Sequence, residues 1–316
     1  MNRKFLTAAA VLLSAAGGFF AGKSLESRRI PPSSPGFIHI RNANTRSNYE
    51  SIHHIRAAQA LSSGAGVRIG ILDDGFGIDA YGDLYGEHRD FRLPPAPESM
   101  AGEAWHGYWM ACAAREIAPE AEIIPMGVIV SGNEGAQTDA LIRAVRWAAE
   151  NGVDVLTYSQ AQLSAENQAR LLPVLEEAFN AGVLTVFLHF PGGHNILPSD
   201  NDPRSPELLS ANNALVNVYD YDYSNIRWTG LPAGEHALLI DDEREAFLSV
   251  SAKAPVTAGV IALMLSACPD MDRSEAASLL RETSYHYEDG EWNMEYALDA
   301  AEAVSRCRDR KSKGTE

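Results

Sequence analysis

Cysteine is scarce in this chain: Cys112, Cys268 and Cys307 are the three in 316 residues. So few exclude a disulfide scaffold, their spacing fits no zinc motif, and an odd number leaves at least one thiol unpaired. Cys112 lies in an apolar helical stretch and reads as a small packed hydrophobe. Cys268 and Cys307 form a bridge if the domain is exported; two separate thiols fit the sequence equally well. Positive charge is also in short supply, with 26 Lys and Arg against 42 Asp and Glu, a formal net charge of -16. With no basic stripe interleaved with aromatics, nucleic-acid binding is excluded as the expected function. The acidity itself speaks to solubility and identifies no substrate. There is no internal repeat. Against these shortages stands a 46% apolar fraction, enough for a sizeable core in one large α/β domain or two small ones.

The amino terminus has the make-up of a targeting segment. Arg3 and Lys4 precede an apolar run over residues 5–22, interrupted only by Thr7 and Ser14. That length lies between a cleaved signal core and a membrane span, so residues 1–22 read as a signal peptide or a membrane anchor. Ser14-Ala15-Ala16 offers a small-residue cleavage site. Either way the expectation is an exported domain, outside the cytoplasm, attached to the membrane if the segment is uncleaved. Residues 23–45 read as a linker, broken by Pro31-Pro32-Ser33-Ser34-Pro35-Gly36. Residues 46–306 form the folded domain, and residues 307–316 a charged tail.

Within the domain, strands and amphipathic helices alternate. Strands are expected over 67–72, 123–130, 153–158, 183–189 and 214–218. Helices are expected over 52–60, 138–150, 165–180, 255–266, 274–282 and 298–306, with a further one opening at His106. Near-continuous apolar strands alternating with helices imply a mostly parallel sheet covered on both faces.

In such sheets functional groups gather at the carboxyl ends of strands. The first strand ends in Leu72-Asp73-Asp74-Gly75, a carboxylate followed by a tight turn. A common Asp-rich turn would look the same. Trp105-His106-Gly107-Tyr108-Trp109-Met110-Ala111-Cys112 places a histidine at the start of a helix of small residues. Ser249-Val250-Ser251-Ala252-Lys253-Ala254-Pro255-Val256-Thr257-Ala258-Gly259 places a serine just before a buried helix, where backbone N–H groups can face an oxyanion. Serine is also a favoured helix cap.

Together the three motifs resemble the subtilisin-like peptidase family. That family carries Asp-Ser/Thr-Gly after a strand, His-Gly-Thr-His opening a helix, and Gly-Thr-Ser-Met-Ala-x-Pro opening another, in the order Asp, His, Ser. Its proprotein-convertase branch also uses Asp-Asp-Gly. Here Asp73, His106 and Ser251 keep that order, and the resemblance runs from about Ile52 to Val304. It implies a three-layer α/β/α fold and a serine endopeptidase acting on polypeptides through an acyl-enzyme. Ser251 would be the nucleophile, His106 the base, and Asp73 the group that holds the histidine tautomer. Thr157-Tyr158-Ser159-Gln160-Ala161 matches the substrate strand, implying Tyr158, Ser159 and Gln160 as substrate-binding residues. By direct register Pro191 stands where the family keeps its oxyanion-hole Asn, which leaves His189 and Asn195 as oxyanion candidates. The departures at Pro191 and Val250 support an alternative, a subtilisin-fold pseudopeptidase that binds peptides or a partner without turnover. No cofactor is expected; Asp79, Asp83, Glu87 and Asp90 are the acidic side chains that would hold the calcium ion often found in this family.

Overall fold

The strands of the core are runs of β-branched and long aliphatic residues, and their side chains alternate between two apolar layers. The computed structural model describes residues 39–42, 53–102, 104–159, 163–189, 215–219, 236–239, 246–248, 251, 253–288 and 293–313. The segment expected to be a signal or anchor, residues 1–22, lies outside them. Among the described residues no helix is long and apolar enough to cross a membrane.

In chain order the elements are β1 (His39–Asn42), α1 (Ile55–Gln59), β2 (Arg68–Asp73), α2 (Ile78–Tyr81), β3 (Arg89–Asp90) and α3 (Pro97–Ala101). There follow α4 (His106–Ile117), β4 (Glu122–Gly127), α5 (Glu134–Glu150), β5 (Val155–Tyr158), α6 (Ala165–Asn180) and β6 (Leu184–His189). The last third holds β7 (Leu215–Tyr219), β8 (His236–Leu239), β9 (Ala246–Leu248), α7 (Lys253–Ala267), α8 (Arg273–Thr283), β10 (Tyr285–Glu288), β11 (Asn293–Ala297) and α9 (Ala300–Lys313). The main sheet has the order β3-β4-β2-β5-β6-β7. Every pairing in it is parallel.

Alternation along the strands produces three layers. Ile69 and Ile71 of β2, Val155 of β5, and Leu184 and Val186 of β6 face α1, α4, α7, α8 and α9. Leu72, Leu156, Tyr158 and Phe187 face the other way, against α5 and α6. The fold is therefore a three-layer α/β/α arrangement around a parallel sheet. Helix α7 carries no charge after Lys253 and is apolar on all sides, as a helix enclosed by sheet and helices must be. It crosses α4 closely: a methyl group on Gly259 would stand 2.5 Å from Ile117 Cβ.

The strand order decides where chemistry can sit. From β2 the chain passes through β3 and β4 on one side, then crosses to β5 on the other. The carboxyl end of β2 thus lies at a topological switch point, where connections diverge and leave a crevice. Asp73 is the last residue of β2.

Two segments set outside the domain by sequence carry regular structure. The linker predicted over 23–45 contains β1, which pairs antiparallel with β8 from His39↔Leu239 to Asn42↔His236. Local composition marks only the proline cluster upstream and cannot reveal a partner so distant in sequence. The charged tail predicted from residue 307 is helical through Lys313. Cys307 is bonded to Cys268, and Arg310 pairs with Glu275 at 2.9 Å and Glu282 at 3.1 Å, so charges of the tail anchor the helix.

The Cys268–Cys307 disulfide closes a loop of 39 residues, joining the end of α7 to α9. Cys112 is free and fully buried, and burial pushes its thiol up to about 12, so it packs as a hydrophobe rather than reacting as a thiolate. On chain-entropy grounds, replacing both bridged cysteines by serine is expected to lower stability by about 4 kcal/mol, read from the denaturant midpoint and slope together.

Candidate active site

Residues Asp73 and His106, 33 positions apart in sequence, meet because the amino end of α4 is tied to the turn that follows β2. Helix α4 has no side-chain cap. Its first donors find backbone acceptors instead: Gly107 N–H donates to the Asp74 carbonyl at 2.8 Å and Tyr108 N–H to the Gly75 carbonyl at 3.2 Å. Trp105 N–H, one step earlier, also donates to the Gly75 carbonyl, at 2.9 Å. The turn thus serves as the helix cap.

Two glycines permit this approach. Gly75 has φ of 69°, and a Cβ there would fall 1.5 Å from the Trp105 indole, which lies against the turn. A Cβ on Gly107 would stand 2.5 Å from the Asp74 carbonyl oxygen. Asp-Asp-Gly and His-Gly are therefore one contact written in two places. Trp105 itself is 43% exposed, an apolar surface beside His106.

The pair so formed is well defined. Asp73 is 1% exposed. Its Oδ1 accepts a hydrogen bond from Asp74 N–H at 2.8 Å, and its Oδ2 lies 2.7 Å from His106 Nδ1. A carboxylate on Nδ1 places the proton of the neutral imidazole there and leaves Nε2 as the acceptor. Burial disfavours the imidazolium, but the charge of Asp73 and its hydrogen bond outweigh that and hold His106 above the ordinary histidine value.

Ser251 stands just before α7 and is partly buried. Its carbonyl accepts a hydrogen bond from Ser159 Oγ at 2.9 Å. Ser159 is the residue after β5, and β5 is paired with β2 through Leu72↔Tyr158. One step further along both strands come Ser159 and Asp73, on chains about 4.8 Å apart. The backbone of Ser251 is thus held at the strand end neighbouring Asp73.

The other sequence candidates fare differently. Ser159 is buried, with its hydroxyl committed to Ser251, so any contact it makes with a peptide is through its backbone. The Tyr158 side chain points away from the crevice into the layer of α5 and α6, where its hydroxyl accepts from Gln137 Nε2 at 2.9 Å and its ring meets Phe187 edge-on. Strand alternation requires this, because Leu156 and Tyr158 share a face. His189 is the last residue of β6, paired with Tyr219 of β7. Gln160 and Asn195 lie outside the described residues.

Among the acidic candidates for calcium, Glu87 pairs with Arg68 at 2.6 Å and Asp90 with Arg92 at 2.7 Å. Among the described residues, no group of three or more His, Cys, Asp or Glu side chains is arranged to hold a metal ion. Arg92 and Ser99, both in contact with Asp74, had no signal in the sequence beyond the presence of a second carboxylate at that turn.

No protein-family model matches the chain. Among characterised proteins it is similar to Subtilisin DY of Bacillus licheniformis, 23% identical over 264 residues that span 74% of this chain and 91% of that protein. Among solved structures it is similar to the subtilase cytotoxin SubAB, with a TM-score of 0.62 at 17% identity over 84% of this chain and 98% of the other. MycP1 with its N-terminal propeptide removed aligns with a TM-score of 0.57 at 16% identity, over 81% of this chain and 96% of the other. A lanthipeptide protease aligns with a TM-score of 0.54 at 18% identity, over 81% and 95%.

Three outcomes are expected of this geometry. His106 titrates above 6.5 in the folded protein, and Asp73→Asn brings it below that value by leaving only burial to act, as histidine NMR titration will read. Because the folded value is raised, His106 adds stability below about pH 6.5, and the contribution fades as pH climbs through the folded value. Ser159→Ala removes the tether to Ser251 and lowers stability by about 1 kcal/mol, measured by thermal or denaturant unfolding.

Proposed function

We propose that this chain, which has the subtilisin-like peptidase fold, is a serine endopeptidase using Asp73, His106 and Ser251. The observation that carries the reading is the 2.7 Å contact between His106 Nδ1 and the buried Asp73 carboxylate at the sheet's switch point. That contact prepares an imidazole to act as a base through Nε2.

In this reading Ser251 Oγ attacks the carbonyl carbon of the scissile peptide bond while His106 Nε2 takes its proton. The tetrahedral intermediate collapses to an ester on Ser251, and the imidazolium returns the proton to the leaving amine. Water then attacks the ester by the same proton route, releasing the acid and restoring Ser251. Asp73 keeps Nδ1 protonated and offsets the imidazolium charge during both steps. N–H groups at the start of α7 would serve the oxyanion, and His189 or Asn195 would supply a further donor. The peptide would bind at the segment that follows β5, using backbone bonds by strand addition. The bridge between Cys268 and Cys307 supports an exported protein, since such bonds persist in oxidising compartments.

The replacements at Pro191 and Val250 favour a second reading, a peptide-binding module without turnover. A fluorophosphonate probe separates the two. Labelling is expected at Ser251, abolished in Ser251→Ala and slowed on the order of 10⁴-fold in Asp73→Asn. Folded protein that binds peptides but takes no label would establish the binding module instead.

A further inference from the structure

Asp74 follows the proposed catalytic carboxylate and carries a second negative charge into a nearly closed space. Its side chain is 12% exposed and sits 2.9 Å from Nη1 of Arg92, whose own side chain is 5% exposed. A buried carboxylate is tolerated only when its charge and lone pairs are matched. Here the match is nearly complete. Ser99 Oγ donates to Asp74 Oδ1 at 2.7 Å and accepts from Arg92 Nη1 at 2.5 Å. The opposite edge of the guanidinium grips Asp90 as a fork, with Nε on Oδ1 at 2.7 Å and Nη2 on Oδ2 at 2.8 Å. Nη2 also donates to the Ala96 carbonyl at 2.8 Å, and Ala96 N–H donates to Asp90 Oδ2 at 2.6 Å. Gly127 makes room for this: a Cβ there would stand 3.1 Å from Arg92 Nη2 and 3.2 Å from Asp90 Oδ1.

The cluster is coupled to the site through the backbone of Asp74. That residue's N–H is the donor to Asp73 Oδ1, and its carbonyl is the acceptor for Gly107 N–H at the head of α4. The next N–H, of Gly75, donates to the Ser99 carbonyl at 3.1 Å. One residue therefore orients Asp73 through its N–H and starts the helix of His106 through its carbonyl. The side chain of that residue, between the two peptides, is clamped by Arg92 and Ser99. If the Asp74 carboxylate lost its clamp it would turn toward water, and the two peptides flanking Asp74, which hold the two members of the pair, would turn with it.

We infer that Arg92 is a positioning residue for the Asp73–His106 pair, acting through Asp74 from the segment that carries β3 and α3. The assignment rests on the reading of that pair as catalytic, and its test reads the pair without turnover. Five donors in a planar fork are needed to serve Asp74, Ser99, Asp90 and Ala96 together, and a lysine ammonium does not supply them.

The experiment uses the whole protein with isotopically labelled histidine and records the His106 ring nitrogens above their titration, alongside the fluorophosphonate labelling rate. Wild type is expected to show a single tautomer, protonated on Nδ1. Arg92→Gln is expected to give a mixture of tautomers and to slow labelling at least about tenfold, with Arg92→Lys close behind it. Arg273→Gln serves as the structural control. Arg273 holds Asp154 at 2.7 Å and the Gly182 carbonyl at 2.6 Å, at the end of β5 away from the crevice. It is expected to lower the Tm while leaving tautomer and labelling unchanged. If Arg92→Gln does not fold, Arg92→Lys decides by the same two readings. An Arg92 variant that keeps the single Nδ1–H tautomer and the wild-type labelling rate, while losing stability as Arg273→Gln does, overturns the proposal. A wild-type His106 without a fixed tautomer overturns it as well. A protein that takes no label, but whose tautomer is scrambled by the Arg92 variants, loses the peptidase reading and keeps the positioning role.

Discussion

Everything at the carboxyl end of this sheet depends on a helix that is capped by a turn. Helix α4 begins without a side-chain cap, and its first N–H groups are orphans that burial would penalise. The carbonyls of Asp74 and Gly75 satisfy them. Because the donor helix starts with His106 and the acceptor turn follows Asp73, satisfying the backbone also delivers an imidazole to a buried carboxylate. The two glycines, the indole of Trp105 over the turn and the hydrogen bond between Asp73 and His106 are consequences of that single docking.

A second dependence runs through the strand beside it. The end of β5 is fixed relative to β2 by their parallel register, and Ser159 extends that register to Ser251 through its hydroxyl. The serine before α7 is thereby referenced to the sheet rather than to its own helix alone. This matters for any reaction between groups on three different elements, since reacting atoms must be placed to a fraction of an ångström. The buried charges are arranged to the same end. Asp74, Asp90 and Arg92 satisfy one another closely enough that the extra carboxylate beside Asp73 is held still.

Much of the fold could be read from residue order. The alternation of apolar strands with helices predicts the parallel sheet, and the bounds of α6 are those the sequence implies. Burial follows the strand period, which is why Ile69 and Ile71 part company with Leu72. The elements that escaped are the short ones, α2, β3 and α3, together with β8, β9 and the pairing of β10 with β11. A two-residue strand or a helix of one turn has too few positions to display a period. The strand β1 escaped for another reason: it exists through a partner some two hundred residues away, and nothing local announces that partner.

The sequence by itself determined the order Asp73, His106, Ser251, the strand end and helix starts on which they sit, and the glycines that let backbones approach. These are local matters, carried by turn chemistry and by the spacing of apolar residues within a few positions. Only the tertiary structure decided that Cys268 bonds Cys307, that Tyr158 turns away from the crevice, that Ser159 holds the carbonyl of Ser251, and that Arg92 answers the charge of Asp74. Each of those depends on which groups are brought together out of water, and a buried charge or hydroxyl takes whichever partner the packed elements place within reach. The docking of α4 on the Asp73 turn belongs to both. Its residues are written in the chain, and its geometry exists only when sheet and helix are assembled.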